Sequence, residues 1–142
     1  MKLYEEVKSA GSIGISGHIR PDGDCIGACM GLYLYLKKLC PDAAIEVFLE
    51  QPAEVFSCIK GMEEIHTDFK TEIPCFDVFF ALDASKDRLG EAEKYFDAAK
   101  KKINIDHHIS NPGCGDLNYI KPKASSASEL VYELIEKKEL LD

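Results

Sequence analysis

The sequence predicts an α/β protein in which helices cover both faces of a five-stranded, mainly parallel sheet. Short apolar runs alternate with helical patterns along the 142 residues, as they do where crossover helices join parallel strands. The run VFFAL, residues 78–82, is apolar at every position, which is typical of a parallel strand buried on both faces. We therefore expect a three-layer α/β/α fold, and a chain of this length is expected to form one domain with one core.

The predicted strands are short apolar runs separated by segments of helical periodicity. They cover residues 12–16, 45–49, 78–82, 103–105 and 117–120. The clearest helix starts near Asp24 and ends at Leu39, because apolar residues recur every three or four positions between them. Two glycines in its first turns, Gly27 and Gly31, are expected to permit close approach of a strand or a ligand.

Four more helices complete the predicted fold. Three short ones are expected over residues 3–9, 53–59 and 91–100. The last opens with Ser126 and Glu129, a Ser-x-x-Glu capping box in which each side chain accepts the amide of the other residue. This helix is expected to run almost to residue 142.

Composition and charge limit the classes of function. The net charge is −8, which opposes binding to duplex DNA, because that binding needs a basic surface to displace counterions. A small anionic substrate stays compatible if bound metal ions supply local positive charge. No stretch approaches the roughly 20 apolar residues that span a bilayer, and the first residues lack the pattern of a secretory signal. We therefore expect a cytoplasmic protein with no membrane partner.

The six cysteines are scattered through apolar segments and do not form the dense framework of a secreted disulfide scaffold. We interpret them as reduced core thiols. Cys25 and Cys29 lie four residues apart on the predicted helix, but no second cysteine pair completes a zinc site. They are therefore not expected to bind metal.

Carboxylate and imidazole side chains follow three of the predicted strands, and ligands of open α/β sheets bind beyond the carboxyl ends of strands. The residues are His18, Asp22 and Asp24 after the first strand, Asp83 after the third, and Asp106, His107 and His108 after the fourth. Each motif alone has a simpler explanation: Pro-Asp-Gly is a common turn, Asp24 suits a helix cap, and adjacent histidines suit a solvated loop. Their coincidence at one sheet edge predicts a functional site there.

The residue types at this edge predict a metal centre. Carboxylate oxygen and imidazole nitrogen suit divalent manganese, magnesium, iron or zinc, and the ligand inventory favours manganese. Two imidazoles and three carboxylates exceed the needs of one catalytic ion, whereas two ions roughly 3.5–4 Å apart can share a bridging carboxylate. Such a pair binds phosphoryl oxygens, generates hydroxide near neutral pH and offsets charge on the leaving oxygen. A binuclear phosphate-ester hydrolase is therefore the expected function.

These motifs resemble those of one family, the DHH phosphoesterases, which is named for the triplet found here at residues 106–108. The segment HIRPDGD, residues 18–24, is similar to the first family motif, Asp83 to the second, and IDHHISN, residues 105–111, to the third. The following stretch GDLNYIKPKASSASELVYELI is similar to the nanoRNase and pAp phosphatase branch. The resemblance covers nearly the whole chain.

The resemblance implies two divalent ions, most simply Mn²⁺, with Mg²⁺ as the alternative. One ion would be held by His18 and Asp22, and the other by Asp24 and His107. Asp83 would bridge both ions.

The resemblance also implies roles for residues that do not bind metal. Asp106 would orient an imidazole or a loop amide. His108 would face the substrate phosphate and would protonate or polarise the leaving oxygen. Asn111 and Arg20 are further candidates for substrate contacts, although Asn111 also suits a turn and Arg20 an exposed charge.

The resemblance implies a manganese-dependent phosphoesterase that acts on short single-stranded oligonucleotides, on 3′-phosphoadenosine 5′-phosphate, or on both. An inorganic pyrophosphatase or a cyclic-dinucleotide phosphodiesterase of the same family is the alternative, because metal chemistry does not separate these substrates. A receiver-like phosphoacceptor domain is the alternative from another class: Asp22 and Asp24 would bind magnesium, and Asp83 would accept phosphate. That interpretation gives no role to the three histidines of the site.

Members of the family continue to a further motif, typically Thr-Asp-Thr-Gly, and to a smaller C-terminal domain that closes over the substrate. Neither lies within residues 1–142. We therefore expect the chain to be the front portion of a two-domain enzyme that binds one ion and hydrolyses its substrate poorly on its own. A homodimer is compatible with the sequence.

Overall fold

Five parallel strands form one sheet at the centre of the protein. The computed structural model describes residues 2–136, and its strands are β1 (Ser12–Ser16), β2 (Ala44–Phe48), β3 (Val78–Leu82), β4 (Lys101–Asp106) and β5 (Leu117–Ile120). Their order across the sheet is β2-β1-β3-β4-β5, and all neighbouring strands pair in parallel. The predicted α/β class and its five strands are confirmed.

Helices lie on both faces of this sheet, as the three-layer prediction requires. Those described are α1 (Leu3–Val7), α2 (Gly23–Leu39), α3 (Glu93–Ala98) and α4 (Ala127–Glu136). Side chains alternate along β3: Phe80 belongs to the core that contains α2 and α4, whereas Phe79 belongs to a second core with Phe96 of α3. No helix within residues 2–136 is both long and apolar enough to cross a membrane.

The prediction of a helix over residues 53–59 is wrong. That segment contains only a single turn of 3-10 helix, Glu54–Phe56. An isolated short helix is stable only when it packs an apolar face against the protein, and Val55 is 76% exposed. The segment therefore has no fully buried apolar face to stabilise a longer helix.

The capping box predicted for the last helix forms in part. Ser126 Oγ accepts the amide of Glu129 at 3.1 Å, as predicted. The Glu129 carboxylate accepts instead from the amide and hydroxyl of Ser125. The part of the helix predicted beyond residue 136 lies outside the described residues.

The cysteines are free thiols, but only Cys25 and Cys29 are buried. Cys58 is exposed, and the other three are partly buried. The prediction of core thiols is therefore wrong for Cys58, which follows the short turn at Glu54–Phe56. Since the helix predicted there does not form, no helix places the Cys58 side chain in the core.

The strand order creates a crevice between the carboxyl ends of β1 and β3. The chain passes from β1 to β2 on one side, and all later strands lie on the other side of β1. Ligands of open α/β sheets bind at such a switch point. His18 follows β1 by two residues, Asp83 follows β3 directly, and the neighbouring β4 ends at Asp106. The fold therefore brings the three predicted motifs to one edge of the sheet.

Candidate metal centre

Asp83 lies at the centre of this edge. Its side chain is 3% exposed, and its amide donates to the carbonyl of Ile105 on β4 at 2.9 Å. Its φ of 60° is in the left-handed region that favours glycine. A non-glycine residue in that region costs about 1–3 kcal/mol, and such residues cluster at functional sites. The fold therefore holds the Asp83 carboxylate in a fixed and buried position.

Two histidines contact opposite oxygens of the Asp83 carboxylate. His18 Nε2 lies 3.3 Å from Oδ2, and His107 Nε2 lies 3.1 Å from Oδ1. Ligand atoms about 2.1 Å from a shared ion lie roughly 3.0–3.4 Å apart at octahedral or tetrahedral angles. Both contacts have this spacing, so the three side chains fit the coordination of divalent ions.

The His18 ring is oriented with Nε2 toward the carboxylate. Nδ1 donates to the carbonyl of Ile19 at 2.7 Å, which is the kind of outer contact that metal-bound histidines usually make. The hydrogen bond with Asp83 raises the pKa of His18 from 6.5 to about 9, although burial lowers it. In the metal-free protein this ring is therefore protonated at neutral pH, and metal binding displaces the proton.

Asp22 caps α2 at the rim of the crevice. Its Oδ1 accepts the amide of Cys25 at 3.0 Å, and the same oxygen lies 3.7 Å from His18 Nε2. The Asp22 side chain is 66% exposed, so solvent reaches it directly. The sequence suggested Asp24 as the helix cap, and the structure assigns that place to Asp22 because α2 begins one residue earlier, at Gly23.

Asp24 caps a different helix. Its Oδ2 accepts the amide of Ala127 at 2.9 Å, and its Oδ1 accepts the amide of Ser128 at 2.9 Å. Burial raises the pKa of Asp24, but the hydrogen bonds from Ser128 and Ala127 outweigh burial, and the resulting pKa is lower than the usual 3.8. Asp24 Oδ2 also lies 3.5 Å from His107 Nε2. This carboxylate therefore joins the site to the first turn of α4.

Asp106 supports the two histidines that follow it. It is 1% exposed, and its Oδ1 accepts from the His107 amide and from His108 Nδ1, each at 2.7 Å. The His108 side chain is 43% exposed, and its Nδ1 lies 3.9 Å from Asp83 Oδ1. Of the three histidines at this edge, His108 is the most accessible to solvent.

A buried pair of asparagines lies behind Asp106. Asn111, which is 6% exposed, donates from Nδ2 to Asp106 Oδ2 and to Asn104 Oδ1, both at 2.9 Å. Asn104 is fully buried and donates to the carbonyls of Ala81 and Ala84 on either side of Asp83. Asn104 was not predicted as a site residue, although the sequence carries one signal: a polar residue inside the apolar run of β4. The substrate contact predicted for Asn111 stays a prediction.

Arg20 was predicted from the sequence to contact substrate, and Cys25 was not expected to bind metal. Arg20 is exposed, with a φ of 50°, and its amide donates to Glu50 Oε1 at 2.6 Å. Cys25, excluded from metal binding by its sequence context, lies within 4.8 Å of His18 and Asp83 when their ligand atoms are compared. Cys25 lies in the first turn of α2 and is fully buried.

Within residues 2–136, side chains that could hold a metal ion form two groups that share Asp83. In each group the ligand atoms lie within 4.8 Å of one another. One group contains His18, Cys25 and Asp83, and the other contains Asp83, Asp106, His107 and His108. A carboxylate common to both groups fits the coordination of two neighbouring ions.

Comparison with known proteins identifies the family. The model of the DHH family, N-terminal domain, matches residues 12–142. The chain belongs to the DHH family. The histidines and aspartates described above therefore lie in a DHH N-terminal domain. The strand ends that carry them contain the three motifs on which the resemblance was based.

Several DHH relatives match almost the whole chain. A bifunctional oligoribonuclease and PAP phosphatase NrnA from Thermus thermophilus is 33% identical over 96% of this chain and 40% of its own length. The NrnA of Bacillus subtilis is 29% identical over 94% of this chain and 41% of its own. The cyclic-di-AMP phosphodiesterase GdpP of Bacillus subtilis is 31% identical over 94% of this chain and 22% of its own length.

A solved structure supports the same fold. The crystal structure of an exopolyphosphatase-related protein from Bacteroides fragilis matches 95% of this chain and 42% of its own, with a TM-score of 0.80 and 28% identity. The chain thus spans about two fifths of the length of this protein and of the NrnA relatives.

Proposed function

We propose that the chain is the metal-binding part of a phosphoesterase that hydrolyses short single-stranded oligonucleotides, 3′-phosphoadenosine 5′-phosphate, or both. One observation carries the proposal: His18 and His107 contact the two oxygens of the buried Asp83 carboxylate. The substrate class is supported by the names of the relatives. The NrnA proteins that match 91–96% of this chain are called oligoribonucleases and PAP phosphatases.

The donor set fits two divalent ions, with Mn²⁺ as the first choice and Mg²⁺ as the alternative. We assign one position to His18 and Asp22, the other to Asp24 and His107, with Asp83 contributing to both. When bound, such ions lower the pKa of a water molecule and offset the charge of the phosphoryl oxygens. They would also supply the positive charge that an anionic substrate needs in a chain with a net charge of −8.

His108 is our assignment for proton transfer to the leaving oxygen. Because Asp106 accepts from its Nδ1 at 2.7 Å, Nε2 on the other side of the ring is left to face the leaving oxygen. The ring is also the most exposed of the three histidines, as a group that touches substrate must be. Asp106 orients this ring and, through the His107 amide, the neighbouring metal-ligating histidine.

The cyclic-dinucleotide alternative has one observation in its favour, the match to GdpP over 94% of this chain. The receiver-like alternative is not supported, because the chain belongs to the DHH family and because the Asp83 side chain is only 3% exposed. A carboxylate that accepts phosphate must be reached by the phosphodonor. The cytoplasmic location and the homodimer stay predictions of the sequence.

A hydrolysis assay with added Mn²⁺ tests the proposal. The substrates are a ribonucleotide dimer, 3′-phosphoadenosine 5′-phosphate, cyclic di-AMP and pyrophosphate, and the variants are Asp83→Asn and the exposed control Glu63→Gln. We expect the first two substrates to be hydrolysed fastest. Loss of the shared ligand should lower the rate about a thousandfold, since metal ions lower the activation barrier by several kcal/mol. A wild-type rate in Asp83→Asn, or a rate insensitive to chelator, would contradict the proposal.

A further inference from the structure

The first turn of α4 reaches across the fold to the metal centre. The amides of Ala127 and Ser128 each donate to one oxygen of Asp24 at 2.9 Å, although the partners are 103 and 104 residues apart in sequence. Ser128 makes a further contact, since its Oγ donates to the main-chain carbonyl of Asp24 at 3.1 Å. Three hydrogen bonds therefore connect α4 to this one aspartate.

The close contact depends on a glycine of α2. A Cβ atom added to Gly27 would lie 3.1 Å from Ser128 Oγ, which is tighter than ordinary van der Waals contact. The sequence predicted that glycines near the start of α2 permit a close approach of a strand or a ligand. The element that approaches at Gly27 is instead the first turn of α4.

The same carboxylate faces the metal centre. Asp24 Oδ2 lies 3.5 Å from His107 Nε2, and His107 contacts Asp83. A carboxylate oxygen can accept more than one contact, so the bonds from α4 fix the orientation of Asp24 while each oxygen keeps a lone pair for an ion. Without them, the carboxylate would have to lose its rotational freedom when the ion binds, which weakens binding.

We propose that Ser128 is a positioning residue of the metal centre, which orients Asp24 and couples ion binding to the packing of α4 against α2. The inference rests on the proposed function, because it requires Asp24 to hold an ion. Coupling acts in both directions. If α4 strengthens ion binding at Asp24, then a bound ion strengthens the hydrogen bonds between Asp24 and α4 by the same factor.

Titration of the purified protein with Mn²⁺ alone, followed by the EPR signal of the free ion, tests the first direction. The variants are Ser128→Pro, which removes the amide donor to Asp24 Oδ1 in the first turn, where helices tolerate proline, Ser128→Ala, which removes only the hydroxyl bond to the Asp24 carbonyl, and Ser126→Ala. Ser126 caps the same helix through the Glu129 amide but has no described contact with Asp24, so it is the matched control for helix stability. We expect Ser128→Pro to weaken the Asp24 position about 10- to 100-fold, the usual effect of removing such a partner, with near-normal binding in the other two.

Hydrogen exchange in the wild-type protein tests the second direction without any variant. Saturating Mn²⁺ should slow exchange at the Ala127 and Ser128 amides about 10-fold or more. The Lys70 amide, which donates to the exposed Asp68 carboxylate at 3.0 Å, should not change. Faster exchange at α4 would show that Asp24 must leave the helix to bind the ion, which overturns the inference.

The outcomes separate the inference from the proposed function. If the wild-type protein binds no Mn²⁺, the proposed function fails. If it binds Mn²⁺ and Ser128→Pro binds it as tightly as Ser128→Ala and Ser126→Ala do, the metal centre stands and the role of Ser128 is refuted. If Ser128→Pro does not fold, the exchange rates of the wild-type amides decide.

Discussion

Replacement of Asn104 by alanine should destabilise the protein far more than the small change in side-chain size suggests. The side chain is fully buried. Its Nδ2 donates to the carbonyls of Ala81 at 3.0 Å and Ala84 at 2.8 Å, and its Oδ1 accepts from Asn111 at 2.9 Å and from the Cys114 amide at 3.2 Å. These partners belong to β3, to the loop after it and to the loop after β4, so one side chain joins three segments around the metal centre.

The expected loss follows from the groups that are left without a partner. An unsatisfied buried donor or acceptor costs about 1–3 kcal/mol, and the alanine variant removes the Asn104 partner of the Ala84 carbonyl and of the Cys114 amide. Since Asn111 keeps its bond to Asp106 and Ala81 lies within the paired β3 and β4 strands, we count two such groups. The unfolding free energy should therefore fall by about 3 kcal/mol or more.

Urea unfolding of the wild-type protein, Asn104→Ala and Asn118→Ala measures this difference. Asn118 is the matched control, because its side chain also bonds main-chain groups, the amide and the carbonyl of Gly115, at 2.9 and 3.0 Å, but it is exposed. Its loss should cost about 1 kcal/mol or less. Equal destabilisation by the two substitutions would refute the argument that Asn104 holds the loops of the site together.

Two further predictions concern the groups around His18. The pKa of His18 is raised from 6.5 to about 9 in the folded protein, and the largest cause is its hydrogen bond with Asp83. The contribution of this protonated ring to the free energy of unfolding is therefore fully present below pH 6.5 and is lost as the pH rises through 9. In urea unfolding of chelator-treated protein, the unfolding free energy should decrease by at most about 3 kcal/mol across that pH window. His18→Gln should abolish this decrease. The same pH dependence in His18→Gln as in the wild-type protein would contradict the prediction. Asp22→Ala should lower the unfolding free energy by about 1 kcal/mol because the cap on the Cys25 amide is lost, whereas Asp22→Asn should retain stability and still weaken Mn²⁺ binding in a titration. Normal Mn²⁺ affinity in Asp22→Asn would remove Asp22 from the ligand set.

Features that depend on local pattern were predictable from the sequence. β3 was found because a parallel strand buried on both faces is an unbroken apolar run, and the other four because they are short apolar runs between helical patterns. The grouping of Asp83 with the triplet at residues 106–108 followed from a rule of topology, since the carboxyl ends of parallel strands meet at one edge. The helix over residues 53–59 failed because an apolar pattern does not reveal whether a face is covered, and there Val55 is exposed.

Features that depend on packing between distant segments were not predictable. The cap that Asp24 provides for α4 joins residues 103 positions apart, and only the packing of α2 against α4 brings them together. Cys25 reaches the floor of the crevice for a similar reason. Asn104 had a local signal, a polar residue in a buried strand, but its partners come from three other segments.

The most direct test of the metal centre is the number of Mn²⁺ ions bound by the wild-type protein and by Asp83→Asn, measured by equilibrium titration. Asp83 presents one oxygen to His18 and the other to His107, so its carboxylate should contribute to both positions. The account predicts at least one bound ion in the wild-type protein and weakened binding of every bound ion in the variant, with the Glu63→Gln control unchanged. Unaltered binding in Asp83→Asn would contradict it.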